Sequence, residues 1–183
     1  MAQHQGYGLM EISGSFLIPE FSIYLLEIIK GKKRFFYIGM TGDPFYPSAR
    51  AALHRLSGHL EKTKTSKQNQ LWIALRDIVG IKDPSEFAKL NIKMHHFPIK
   101  GFKKWSGESM QHKIINESKN SKEYLDYKKI QNDVLKLEKE LIHAFKSPKL
   151  LNLTRGKKND DNFAKHKIIF KDIKQIFETN SLS

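Results

Sequence analysis

Two short apolar runs, SIYLLEII (22–29) and RFFYIGM (34–40), are separated only by the tetrapeptide KGKK. Segments this rich in Ile, Leu, Phe and Tyr, split by a glycine-bearing turn, predict an antiparallel hairpin. That pairing puts Tyr24 and Tyr37 on adjacent strands, within reach of one another.

The rest of the chain supplies elements to cover such a hairpin. After a loop holding Gly42, Asp43, Pro44 and Pro47, SARAALHRLSGHL (48–60) reads as a helix with Ala49, Ala52, Leu53, Leu56 and Leu60 on one face. A second helix is predicted in SKQNQLWIALRDIVG (66–80), with Ser66 able to cap it, Gly80 ending it and Trp72 in the core. In LNIKMHHFPI (90–99), Leu90, Ile92 and Met94 alternate with polar residues, as a half-buried third strand does. A polar, Lys-rich stretch (100–121) lacks periodicity and reads as an insertion or long loop. A long helix is predicted from about Ser121 to Lys146, closed by Pro148, and KIIFKDIKQIF (167–177) fits either a strand or a helix. The expected fold is a single α+β domain over 1–183: a small three-stranded antiparallel sheet flanked by helices, with the insertion at about 100–121 and a C-terminal extension at about 154–183.

Charge narrows the function. Lys and Arg total 32 against 19 Asp and Glu, a formal net charge of +13, so a polyanion is the natural partner, nucleic acid first and an anionic membrane second. The most apolar window, FLIPEFSIYLLEII, is interrupted by Pro19, Glu20 and Glu27 and is shorter than the roughly 20 residues a span needs. No secretory signal is read ahead of it, and no membrane partner is expected. With no cysteine, thiol nucleophiles and Cys-ligated zinc are excluded, and the cytoplasm is the default compartment.

Helical projection singles out further residues. On the long helix, Val134, Leu135, Leu141, Ile142 and Phe145 fall within about 60° of Glu138, placing a carboxylate in the middle of an apolar stripe, where it is costly unless paired or cation-bound. Glu140 projects about 160° away and is predicted to be solvated. The first helix carries two Arg-x-x-x-His pairs. His59 and Arg55 lie about 60° and about 100° from Leu56, whereas His54 points about 160° away, so Arg55 and His59 are chosen over Arg50 and His54. His95 and His96 face opposite sides of their strand, which argues against shared metal ligation. Phe102 and Trp105, among Lys100, Lys103 and Lys104, either stack on bases or anchor their loop. No phosphate-cradling glycine loop and no His-Glu-x-x-His signature is present.

Taken in order, Ser22-Ile23-Tyr24, Tyr37-Ile38-Gly39, Arg55 and His59 on a helix, Glu138 in LEKELI, then Pro148 and Asn152 resemble the GIY-YIG nuclease family over about residues 22–153. Ser22 stands in place of the first glycine, a mild change if the backbone there is ordinary strand. Met40 stands where some relatives carry Lys, so a cation near the tyrosines must come from elsewhere, with Lys33 and Arg34 the candidates. The resemblance implies a metal-dependent endonuclease that hydrolyses DNA, leaving 5′-phosphate and 3′-hydroxyl ends, with Mg²⁺ as cofactor and Mn²⁺ able to substitute. It implies that Tyr24 takes a proton from water with His59 as acceptor, that Arg55 binds the phosphate and that Glu138 holds the metal. Tyr37 orients water or phosphate, and Asn152 hydrogen-bonds the backbone. Lys33, Arg34, Arg50, Lys103, Lys104 and Trp105 are the candidate nucleic-acid contacts, double-stranded DNA the expected partner, and a homodimer one possible assembly. Two alternatives stay open at the level of sequence: a basic nucleic-acid-binding module without catalysis, and a nuclease acting on RNA.

Overall fold

The computed structural model describes residues 10–43, 48–60, 69–103, 121–153, 156 and 166–179. Strands β1 (Glu20–Lys30), β2 (Lys33–Met40) and β3 (Leu90–Gly101) form one antiparallel sheet in the order β2-β1-β3. Helices α1 (Ala52–Leu60), α2 (Gln70–Ala74), α3 (Lys122–Ala144) and α4 (Lys167–Thr179) complete the mixed α+β fold. Among the described residues, no helix is long and apolar enough to cross a membrane.

The hairpin turns on Gly31 and Lys32, with Gly31 at φ +60°, a conformation glycine adopts without steric cost. Central β1 is covered on both sides, which explains its nearly unbroken apolar run. On one face Phe21, Ile23 and Leu25 join Phe36, Ile38 and Met40 of β2 and pack beneath Val134, Leu137 and Leu141 of α3. On the other, Tyr24, Leu26, Ile28 and Tyr37 pack against Leu71, Trp72 and Leu75. The second predicted helix is α2 continued by a π-type turn, Leu75–Val79, and it does stop at Gly80, whose φ is +76°. Ser66, its proposed cap, lies outside the described residues.

Two boundaries differ from the sequence reading, and the C-terminal segment takes one of its two readings. Helix α1 starts at Ala52 and not at Ser48, because the chain before it pairs back onto the loop leaving β2. Asp43 N–H donates to the Ser48 carbonyl at 2.9 Å and Arg50 N–H to the Thr41 carbonyl at 3.2 Å. Ala49 therefore reaches the core from a bridge with Gly42 rather than from a helix face. β3 runs on to Gly101, and Phe102 packs edge-on against Phe21 and Tyr127, so Phe102 is an anchor for the chain that follows. Finally, the C-terminal segment is helical and part of the core. Ile173 is fully buried, and Phe177 stacks on Phe36 and Phe145 with centroids 4.1 and 4.8 Å apart.

Candidate functional site

The hairpin register puts Tyr24 directly opposite Gly39 and Tyr37 one diagonal step away, so both phenols project from the same face of the sheet. Gly39 has ordinary strand backbone, and its role is spatial. A Cβ there would lie 2.2 Å from the Tyr24 hydroxyl oxygen and 2.3 Å from the ring. The missing side chain lets the Tyr24 ring lie flat across β2 toward α1. There its oxygen meets His59 Nε2 at 2.5 Å.

α1 delivers two groups. His59 is buried and His54 exposed, as the helical projection requires. The His59 ring also sits 5.1 Å from the Tyr37 ring, edge to face. One turn earlier, the Arg55 guanidinium lies near the Tyr24 oxygen, where its charge favours the phenolate form. From α3, on the other side of the sheet, Glu138 reaches the end of β2, where its carboxylate lies near the Met40 backbone N–H. Tyr24, Tyr37, Arg55, His59 and Glu138 thus come together around the last residues of β2, and Tyr24, Tyr37 and His59 are held by hydrogen bonds or ring contacts to one another.

Burial dominates the electrostatics. It raises both tyrosines well above the ordinary phenol value, with Glu138 adding to the rise and Arg55 opposing it. Tyr24 is therefore protonated near neutral pH, and with His59 as the Nδ1–H tautomer its O–H donates to His59 Nε2. Burial also pushes the Glu138 carboxyl up to about 7, against the lowering effect of Arg55, Lys139 and the Met40 N–H. One guanidinium does not fully compensate the carboxylate, so an additional cation there is favourable. As a donor set, one oxygen ligand suits Mg²⁺, which keeps most of its waters when protein-bound. Among the described residues, no group of three His, Asp or Glu side chains surrounds it.

Asn152 is placed by the free edge of β2. Phe36 N–H donates to the Lys149 carbonyl at 2.8 Å, and Leu151 N–H to the Phe36 carbonyl at 2.7 Å. Two residues on, the Asn152 side chain takes both backbone groups of Ile38, accepting its N–H at 2.9 Å and donating to its carbonyl at 2.7 Å. Asn152→Ala leaves those two groups of a fully buried residue unpaired. It is expected to cost about 2–4 kcal/mol of folding free energy, measured by denaturant unfolding.

Other proposed residues lie elsewhere. Arg34 pairs with the buried Glu27 on the α3 face, and Lys33 is exposed beside the hairpin turn, so the cation at the tyrosines is Arg55 and not either of these. Arg50 sits 3.9 Å from Asp43 and steadies the loop after β2. Lys103 is exposed, while Lys104 and Trp105 lie outside the described residues. Glu140, expected in solvent, is 1% exposed. α3 is enclosed on more than its sheet-facing stripe, since α4 packs into the same core and Gly156 is wedged against the helix backbone at Lys139 and His143.

Two features are absent from the sequence reading. Thr41 clamps the start of β1, its hydroxyl donating to the Glu20 carbonyl and accepting the Ser22 N–H at 2.8 Å. Ser22 itself is ordinary strand, so no glycine is required there. His96 stands opposite Tyr24 on the tyrosine side of the sheet, 3.4 Å from Glu20, whereas His95 faces Glu27 on the other side. Strand parity alone separates the two histidines, but only the β1–β3 register puts His96 beside Tyr24. Comparison of the chain with protein-family models, with curated proteins and with solved structures returns no match.

Proposed function

We propose that this protein is a metal-dependent endonuclease of the GIY-YIG type that hydrolyses phosphodiester bonds in DNA. The observation that carries the reading is the 2.5 Å contact from the Tyr24 hydroxyl to His59 Nε2, with Arg55 near the same oxygen. Free phenolate at such a tyrosine is inaccessible near neutral pH, so Tyr24 acts by relay. As water attacks phosphorus, it passes a proton to the Tyr24 oxygen while the Tyr24 proton moves to His59 Nε2. The new P–O bond forms as the bond to the 3′ oxygen breaks. Arg55 stabilises the charge gathering on the phosphoryl oxygens, and Tyr37 orients the incoming group. Glu138 is the residue that would hold Mg²⁺, whose chemistry when bound is to polarise the phosphate and stabilise the leaving oxygen.

The test is incubation with supercoiled, linear and branched DNA and with RNA, with and without Mg²⁺, followed by sequencing of the ends. Mg²⁺-dependent cuts in DNA bearing 5′-phosphate and 3′-hydroxyl are the expected result. Cuts confined to RNA overturn the substrate, and binding without any cleavage overturns the enzyme.

Cleavage should also depend on pH in a defined direction. With its carboxyl at about 7, Glu138 is neutral below that pH and charged above it. A cation-holding role needs the charged form, so the rate falls as pH drops through about 7. Because Mg²⁺ competes with the proton, raising its concentration should move the midpoint to lower pH. A midpoint independent of Mg²⁺ rules Glu138 out as the ligand.

A further inference from the structure

A groove of about 400 Å³ opens at the hairpin end of the sheet, away from the tyrosines, with Lys32, Lys33, Arg34 and Lys149 around a floor that includes Phe35 and Ile78. Among the described residues, no acidic side chain lines it. Arg34 is engaged with Glu27, which is buried beneath the α3 face. The three lysines are exposed and form no ion pair among the described residues. Like charges gathered without a counter-charge raise one another's energy, and a polyanion relieves that strain.

We propose that this groove is a second phosphate-binding site, which holds the nucleic-acid backbone about 13 Å from the phosphate at the tyrosines. The inference rests on the nuclease reading. Its spacing comes from β2 itself, because Lys33 and Tyr37 are four strand residues apart, about 13 Å at 3.3 Å per residue. The two sites are joined by one stiff strand, which fixes their separation. Lysines act as point charges on flexible stems, so the groove positions the duplex without reading its sequence.

The test replaces the three exposed lysines together, Lys32→Gln, Lys33→Gln and Lys149→Gln, with Lys149→Gln alone as the milder variant. Binding is measured without Mg²⁺ across a salt series. The triple variant should reduce the log–log salt slope by about 2.7 and the single variant by about 0.9. Its kcat at saturating DNA should stay within about twofold, with a raised KM. As the duplex is shortened stepwise on one side of the cut, the wild type should lose affinity at a length where the triple variant is unaffected. Unchanged salt slopes in both variants overturn the groove and leave the nuclease reading standing, provided the wild type still cuts. Wild type that loses slope on substitution yet cleaves nothing sinks the nuclease reading and keeps the groove as a polyanion site.

Discussion

Gly39→Ala is expected to abolish cleavage and destabilise the fold together. The added Cβ lands 2.2 to 2.6 Å from atoms of the Tyr24 side chain, which is fully buried between α1 and the sheet. Either the ring swings off β2 or the strands separate. Overpacking of this kind costs about 1–3 kcal/mol, read as a lower melting temperature. Displacing the phenol by about 1 Å from its partner is worth about 100-fold in rate, so residual cleavage should fall to the limit of detection. The companion Tyr24→Phe separates the two effects. It keeps the ring and removes only the hydroxyl, so it should fold nearly as wild type while losing the His59 contact and cleavage alike. A Gly39→Ala protein that melts and cuts normally means that the Tyr24 ring does not lie across β2.

Glu138→Gln is expected to remove Mg²⁺-dependent cleavage while raising stability above pH 7. The sign follows from the carboxyl's position at about 7, above its ordinary value. The folded state favours the protonated form, so stability from this group is present at low pH and lost as pH rises through about 7. Gln imitates the protonated form at every pH. The half-buried residue is partly screened by solvent, so the gain at pH 8 without metal should be about 1–2 kcal/mol, and it should vanish near pH 4. DNA binding should hold or tighten. If Glu138 were instead half of a structural ion pair, the same change would lower the melting temperature by stranding its partner. Glu140→Ala makes the contrast: that side chain is buried and engaged, so its removal should lower the melting temperature and leave cleavage by the folded fraction intact.

The sequence makes the hairpin, the face shared by the two tyrosines, and the choice of His59 over His54 legible, because each follows from a period of 2.0 or 3.6 that the backbone must obey. Glu138 is legible for a related reason, as a carboxylate inside an apolar stripe. The same projection fails for Glu140, since a stripe identifies the face that meets the sheet and says nothing about what a distant segment such as α4 or Gly156 will cover. Gly39 fails differently. Its purpose depends on which residue stands opposite, and KGKK permits more than one loop length; with Gly31 and Lys32 as the loop, Gly39 faces Tyr24, and a shift of one residue would remove that relation. The cation was sought next to Tyr37 in sequence, yet Arg55 supplies it from α1 because helix packing, not strand neighbours, fills the space above the phenols.

The outer edge of β2 has a consequence for assembly. Along that edge Phe36 is paired with Lys149 and Leu151 and Ile38 with the Asn152 amide. Phe36 and Ile38 are thus occupied from within the chain, by main chain and then amide, and the Glu138 carboxylate lies near the Met40 N–H. An open edge strand invites a neighbouring molecule to extend the sheet, and here that invitation is closed. If two copies cooperate to cut both strands of a duplex, they do so without joining their sheets along β2, and the spacing between their two cuts will be set by another surface.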